Sequence, residues 1–260
     1  MNLLVHSVHW ILTASNWSEV NGGEGIGAQL LYQIELSSVS LVAAAAIAVP
    51  AGLLIGHTGR GRIVAVAIAD IGRAVPSFAL LVLAFIVISN VSSLGFSMLP
   101  ATIALVVLAI PPILVNTYVG IEGVDPRATE AARGMGLSER QLLFDLEIPL
   151  AAPMLMAGLR TAAVTVVATA TLAGFAGGGG LGVFLNDGFA QAGKEQLLVG
   201  GAILTAVLAI GTEMLFALLE RALTPRTSTQ SSSKGGLPKR SWKSGAVAGP
   251  GAIFRAVRAH

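Results

Sequence analysis

The chain has 260 residues, of which 54% are hydrophobic and 12% are charged, with a mean hydropathy of +0.77 and a formal net charge of +2. Soluble domains carry about a quarter charged residues, so this composition excludes an ordinary soluble protein and indicates a polytopic membrane protein. The sequence has no cysteine, which excludes disulfide bonds and thiolate metal sites.

Residues 1–29 are more polar than the stretch that follows, and they contain Trp10 and Trp17. The apolar run around Trp10 is too short to cross a bilayer, which takes about 20 residues. Indole rings favour the boundary between lipid and water. We therefore predict an extracytoplasmic segment that lies at the membrane interface, with a disordered segment as the alternative.

Five hydrophobic runs follow, each near the length of about 20 residues that spans a bilayer as a helix. They cover residues 36–55, 63–88, 98–121, 154–175 and 197–219. These runs lack the polar stripe of a helix on a soluble protein. The sequence therefore predicts an all-α membrane protein whose five helices form one transmembrane domain, residues 30–223. Prolines in these runs predict kinks: Pro50, Pro76, Pro111 and Pro112.

The stretch 122–153, between the third and fourth runs, is the long charged island of the chain. Asp125 followed by Pro126 is typical of a helix start, because a carboxylate accepts from free backbone N–H groups and proline has no N–H to lose. Gly136 is suited to the left-handed residue that ends such a helix. The sequence predicts a short helix between these signals.

A second short helix is predicted directly after the first. Ser138 and Gln141 have the spacing of a capping box, and we expect the helix to end before Pro149. Two short helices around a glycine turn also occur in DNA-binding units, which need a basic face. The stretch from Glu122 to Glu147 holds six acidic and three basic residues, so we predict no nucleic-acid partner.

The charged island also contains a spaced motif: Glu-Ala-Ala, three residues, glycine, nine residues, then Leu-x-Ile-Pro. It resembles the EAA motif of binding-protein-dependent ABC importer permeases, with Ile and Leu exchanged at two aliphatic positions. The flanking residues 112–117, 170–173 and 179–182 are similar to the glycine betaine/carnitine/choline (osmoprotectant) subfamily. The resemblance covers roughly residues 30 to 225.

The resemblance implies a type I importer permease with a five-helix core in a bacterial cell membrane, whose loop 122–153 couples it to ABC ATPase subunits. The residues that it assigns to this coupling contact are Glu130, Ala131, Ala132, Gly136, Ile148 and Pro149. It further implies an extracytoplasmic substrate-binding protein, a second permease copy or paralogue, and a substrate such as glycine betaine, choline or carnitine. The substrate class rests on the resemblance alone, because no cage of tyrosines and tryptophans for a quaternary ammonium ion is visible.

Basic residues predict the orientation in the membrane. Of the 16 lysines and arginines, 13 lie in three segments: the loop 57–62, the island 122–153 and the C-terminal stretch from Arg221 onward, which includes the tail 224–260. The positive-inside rule places such segments in the cytoplasm. We therefore predict that the N-terminus is outside and the C-terminus inside. The tail is rich in Ser, Gly and Lys, which favours a disordered segment near anionic headgroups.

Two glycine-rich patterns look like nucleotide sites, and both fail on context. The stretch 188–195 begins like a phosphate-binding loop, but Glu195 replaces the Ser or Thr that would bind Mg²⁺. Glycines in 177–182 follow a membrane helix rather than a strand, and they predict a flexible external loop. We therefore expect no enzymatic activity, no metal and no cofactor in this chain, with ATP and Mg²⁺ on the partner ATPase.

Four charges lie inside the predicted helices, where unpaired ions are costly: Asp70, Arg73, Arg160 and Glu213. Asp70 and Arg73 are three residues apart and can neutralise each other on one helix face. Arg160 and Glu213 lie at similar depths, which predicts an ion pair between two helices; separate contacts with headgroups and water are the alternative. The competing functional class is a self-contained secondary transporter or channel, but the sequence shows no internal repeat of the kind typical of such proteins.

Overall fold

The computed structural model of the protein describes residues 2–20, 22–91 and 98–223, so the predicted tail 224–260 lies outside the described residues. The described chain is helical except for turns and a hairpin of two short antiparallel strands, β1 Glu19–Val20 and β2 Gly23–Glu24. The helices are α1 Asn2–Leu12, α2 Ser15–Ser18, α3 Ile26–Thr58, α4 Arg62–Ala74, α5 Ser77–Val91, α6 Leu99–Glu122, α7 Pro126–Gly134, α8 Glu139–Gln141, α9 Ile148–Ala170, α10 Gly182–Ala190 and α11 Glu195–Leu223. A π-helical turn, Leu142–Glu147, precedes α9, and a 3₁₀ turn, Thr171–Ala176, follows it.

Four described helical segments are long and apolar enough to cross a membrane: Ile26–Thr58, Leu99–Glu122, Glu139–Ala176 and Glu195–Ala222. A fifth span exists if the bent pair α4 and α5 counts as one. Four of the five predicted runs lie largely on these segments, although the first helix begins at Ile26 rather than Leu36. The fold is thus the predicted all-α membrane fold.

The run predicted as one helix over 63–88 is two helices that meet at about 90°. Val75 between them is extended, with φ −78° and ψ 124°. The residue before a proline is pushed away from helical geometry, and Pro76 has no N–H to continue the helix. Pro50 and Pro111, by contrast, lie inside α3 and α6, which continue past them.

Helix α6 lies at the centre of the packing, with α3, α4, α5 and α9 against it. Two glycines on α3 allow the closest contact. A Cβ on Gly52 would lie 2.6 Å from the Cβ of Thr117, and a Cβ on Gly56 would lie 2.6 Å from the Cβ of Ile121. Small residues let membrane helices approach closely, so the end of α3 is held against the end of α6, where the charged island begins.

The N-terminal segment differs from the prediction at Trp10. Its side chain is buried, with 8% exposed, and meets the Phe184 ring edge-on at 5.3 Å between centroids. A Cβ on Gly200 would lie 2.6 Å from the Trp10 ring, so α1 packs closely on α11. The Trp10 indole therefore packs inside the protein, where a glycine leaves room for it, and the position of the segment at the membrane interface stays a prediction.

Candidate functional site

The first helix of the charged island forms as its sequence signals predict. Asp125 Oδ1 accepts from the Arg127 N–H at 2.9 Å, and Pro126 opens α7. Gly136 has φ +89°, and the Leu137 N–H donates back to the Ala132 carbonyl at 3.2 Å. These bonds satisfy backbone groups that a helix end leaves free, so α7 is a short helix with both ends fixed.

The second helix begins as predicted but does not end at Pro149. Ser138 and Gln141 form the capping box, with the Ser138 N–H donating to Gln141 Oε1 at 3.0 Å. The chain then passes through the π-helical turn 142–147 directly into α9, with Pro149 in its first turn. The prediction of a break at Pro149 is wrong, because the π-helical turn carries the chain into α9, with the Ile148 N–H donating to the Leu143 carbonyl five residues back.

The motif residues divide into an outer and an inner set. Glu130, Ala131 and Gly136 are exposed, whereas the Ala132 side chain is buried, with 3% exposed. Ile148 is half-buried and Pro149 is exposed, both at the start of α9. Ala132 therefore packs inside its own chain, and of the two alanines only Ala131 presents its side chain outward.

Large apolar side chains lie exposed beside the outer motif residues. Met135, just after α7, is 76% exposed, and Phe144 in the π turn is 56% exposed, with the Arg140 guanidinium 6.0 Å from its ring centre. Isolated apolar residues on a surface are common. Together with Glu130 and Ala131 they are the exposed residues that we call the outer face of the loop.

Charged side chains join the two halves of the loop to each other and to α3. The Arg133 guanidinium donates to both oxygens of Glu139, from Nε at 3.0 Å and from Nη2 at 3.1 Å. This hydrogen bond, and then the charge of Glu139, raise the pKa of Arg133. On α3, His57 contacts Glu139 and Glu147. Sequence reasoning missed His57 and Glu147, because 90 residues separate them and no spacing rule links them.

The intramembrane charges Arg160 and Glu213 are brought together. Arg160 Nε donates to Glu213 Oε1 at 2.7 Å, Nη2 contacts the same oxygen, and Nη1 donates to Glu220 Oε2 at 3.3 Å. One guanidinium on α9 thus faces two carboxylates on α11, and sequence reasoning missed Glu220. Asp70 is exposed, and the side chain of Arg73 lies outside the described residues, so their pairing stays a prediction.

The glycine loop 177–181 is held by buried glutamines rather than free to move, contrary to the prediction. Gln29 Oε1 accepts from the Gly180 N–H at 2.6 Å, and Gln33 Oε1 accepts from the Leu181 N–H at 3.2 Å. The Gln33 amide also donates to the Val167 carbonyl at 2.9 Å. Gly177 and Gly180 have φ near +90°, so glycine serves here for a fixed tight turn.

A cavity of about 530 Å³ lies between the bend of α4 and α5, the proline pair of α6, and α9. Its polar lining consists of Ser77, Asn116, Thr161 and Thr165, and the rest of its lining is aliphatic, proline or glycine. Among the described residues, no aromatic ring lines it. The described lining therefore offers no ring face that could hold a cation by cation–π attraction.

Residues 48–228 match the family model described as "Binding-protein-dependent transport system inner membrane component". The chain belongs to this family. It is therefore a permease, the membrane component of an ABC importer, as the motif in its charged island indicated. The buried and exposed sides of the loop described above belong to the part of the chain that the family model covers.

Named relatives align with most of the permease. It is 38% identical over 204 residues to the carnitine transport permease protein OpuCB of Listeria monocytogenes. The alignment covers 78% of this chain and 90% of that protein. It is 36% identical over 211 residues to the choline transport system permease protein OpuBB of Bacillus subtilis strain 168, which covers 80% and 92% respectively.

A solved structure shows the same fold. A chain of the methionine ABC transporter MetNI, in an inward-facing conformation, superposes with a TM-score of 0.68 over 77% of the permease and 96% of that chain. The two sequences are 23% identical, so this likeness concerns the fold alone.

Proposed function

We propose that the permease imports a quaternary-ammonium osmoprotectant, such as carnitine, choline or glycine betaine, across a bacterial plasma membrane. The observation that carries this proposal is the similarity to OpuCB and OpuBB, which are named for carnitine and choline and align over at least 90% of their length. A third relative, 35% identical, is named as a glycine betaine/carnitine/choline permease of Bacillus subtilis.

Energy comes from a separate ABC ATPase, which holds the ATP and Mg²⁺ and docks on the outer face of the loop. Glu130 and Ala131 are exposed there on a short helix whose two ends are fixed, and Met135 is exposed just after it. Such a helix transmits displacement without unwinding. Gly136, Ile148 and Pro149 act by shaping the chain that follows α7, and Ala132 acts by packing beneath this face.

The orientation follows from the basic residues and from this docking. The loop 122–153 and the C-terminal tail face the cytoplasm, and the N-terminus faces outward. The ATPase then meets the loop on the side where ATP is available. The glycine loop 177–181 lies on the outer side, where a binding protein delivers substrate.

Substrate selection belongs to the extracytoplasmic binding protein, and the permease supplies a polar path. The hydroxyls and amide in the cavity can contact a passing solute without holding it by an aromatic cage. A second permease, either a copy of this chain or a paralogue, completes the transporter.

Purification of the tagged permease in mild detergent from its host cells tests the proposal. We expect an ABC ATPase and a binding protein among the recovered subunits, and ATP-driven uptake of labelled choline or carnitine once the complex is in liposomes. Unlabelled glycine betaine should compete for this uptake, whereas methionine should not. Uptake that only an unrelated solute inhibits would overturn the substrate class, and uptake without ATP would overturn the energy source.

A further inference from the structure

His57 lies between two carboxylates where the last turn of α3 meets the loop. Its Nδ1 is 2.6 Å from Glu147 Oε2, and its Nε2 is 3.4 Å from Glu139 Oε2. The Glu147 side chain is only 7% exposed. Among the described residues, no lysine or arginine forms a salt bridge with Glu147. His57 is therefore the group placed to neutralise a buried carboxylate, which would be costly to leave unpaired.

The contacts of the ring differ between its neutral and its protonated form. An ionised carboxylate only accepts hydrogen bonds, so the short contact to Glu147 requires a proton on Nδ1. A neutral ring would then turn the lone pair of Nε2 toward Glu139, whereas an imidazolium donates to Glu147 and attracts Glu139 by its charge. Histidine is the side chain that ordinarily changes charge between about pH 5 and 8. The attraction between His57 and Glu139 therefore depends on the charge of the ring.

The other charged group at this cluster is Arg133 on α7, which binds Glu139 through both of that residue's oxygens. With a protonated His57 the two cations balance the carboxylates of Glu139 and Glu147. When His57 loses its proton, one negative charge remains without a counterion. Loss of the proton therefore weakens the cluster at the contact between His57 and Glu139, since Glu147 is buried and keeps its short hydrogen bond.

The contacts of His57 join α3 to the loop, although the two are not consecutive in the chain. The loop begins at the end of α6 and continues into α9, whereas α3 leads into α4. Side chains therefore carry any push on the loop to α3. Glu139 opens α8, directly after α7, and Glu147 closes the π turn, a wide turn of the kind often found at functional sites. His57 touches both.

We propose that His57 is a positioning residue for transport: as an imidazolium it ties the end of α3 to both halves of the loop, so that α3, α7 and α9 move together. The inference rests on the function proposed above, because it takes the outer face of the loop as the place where the ATPase pushes. It predicts that the efficiency of coupling depends on the pH at the loop.

The test uses the whole reconstituted transporter, with permease, ATPase and binding protein in liposomes. Uptake per ATP hydrolysed is measured while the pH on the ATPase side is varied between about 5.5 and 8.5, across the histidine range. His57→Gln keeps a donor but never carries charge, and His57→Arg always carries it. Glu139→Gln removes the acceptor at an exposed position, so it tests the same contact if a change at His57 impairs assembly. His9→Gln, an exposed histidine on α1, is the matched control.

We expect uptake per ATP in the unaltered transporter to fall by up to about fivefold toward high pH, the scale of one lost ion pair at a solvent-exposed carboxylate. His57→Gln and Glu139→Gln should be low and flat across the range, His57→Arg high and flat, and His9→Gln like the unaltered protein. A pH profile in His57→Gln and Glu139→Gln that matches the unaltered transporter would overturn the inference. Absence of ATP-driven uptake in both the unaltered and His9→Gln transporters would instead overturn the proposed function.

Discussion

Gly136, two residues after the end of α7, offers the sharpest test of the proposed coupling role of the loop. Gly136 has φ +89°, and no atom lies within 4 Å of a Cβ built on it. A new side chain there meets no neighbour, so its cost is backbone strain alone. A residue with a Cβ in left-handed geometry costs roughly 1–2 kcal/mol, and a β-branched residue is still less suited to it.

A cost of about 1–2 kcal/mol changes the population of the native turn by a factor of about 5 to 30. We therefore expect Gly136→Val to reduce uptake by at least about fivefold, and less ATPase subunit should be recovered with the purified permease. The permease itself should still reach the membrane, because the strain lies in an exposed turn outside the packed helices. Uptake and subunit recovery are measured on the same preparations.

Gly134 provides the matched control, two residues earlier. It is the last residue of α7, and a Cβ built on it also meets no atom within 4 Å. Its backbone is helical, where alanine is favoured over glycine by up to about 1 kcal/mol, so Gly134→Ala should leave uptake unchanged. Normal uptake in Gly136→Val would refute the reasoning. Equal loss in Gly134→Ala would show that bulk on the surface matters rather than the turn.

Two further predictions concern orientation and the intramembrane pair. The chain has no native cysteine, so single introduced cysteines can be labelled selectively. In intact cells, Gln191→Cys should react with a membrane-impermeant thiol reagent, whereas Met135→Cys should react only after permeabilisation. Labelling of Met135→Cys in intact cells would contradict the proposed orientation. Arg160→Glu and Glu213→Arg should each reduce expression or uptake, and the double exchange should restore part of the loss. The restoration should be incomplete, because Glu220 would then face a glutamate at position 160. A double variant no better than either single one would show that the pair has no role.

The parts of the loop that sequence predicted correctly depend on near neighbours. Asp125 caps a helix through a residue two positions on, and Ser138 and Gln141 are three apart, so spacing alone identifies them. Pro149 was misread because its effect depends on the turn before it. The rule that proline ends a helix assumes α-helical hydrogen bonding, and the sequence of residues 142–147 contains no signal that predicts a π-helical turn.

Contacts between residues far apart in the sequence could be predicted only where few partners were energetically possible. Arg160 and Glu213 could be paired in advance, because charges inside a membrane are rare and costly when alone. Glu220 lies just beyond the predicted run 197–219, so it was not counted among the charges inside the membrane. Polar side chains such as Gln33, whose amide reaches a carbonyl 134 residues away, have too many potential partners for the sequence to choose among them.

The burial of one side of the loop suggests how a short helix could transmit a force from a partner to the membrane helices. Its inner side is anchored by Ala132, Leu142 and Glu147, which are 3%, 0% and 6% exposed. Its outer side carries Glu130 and Ala131, which are free to meet a partner. A force on the outer side cannot rotate α7 alone, because both of its ends are fixed and its base is packed. The force must move the anchors, and these lie on α9 through the π turn and on α3 through His57.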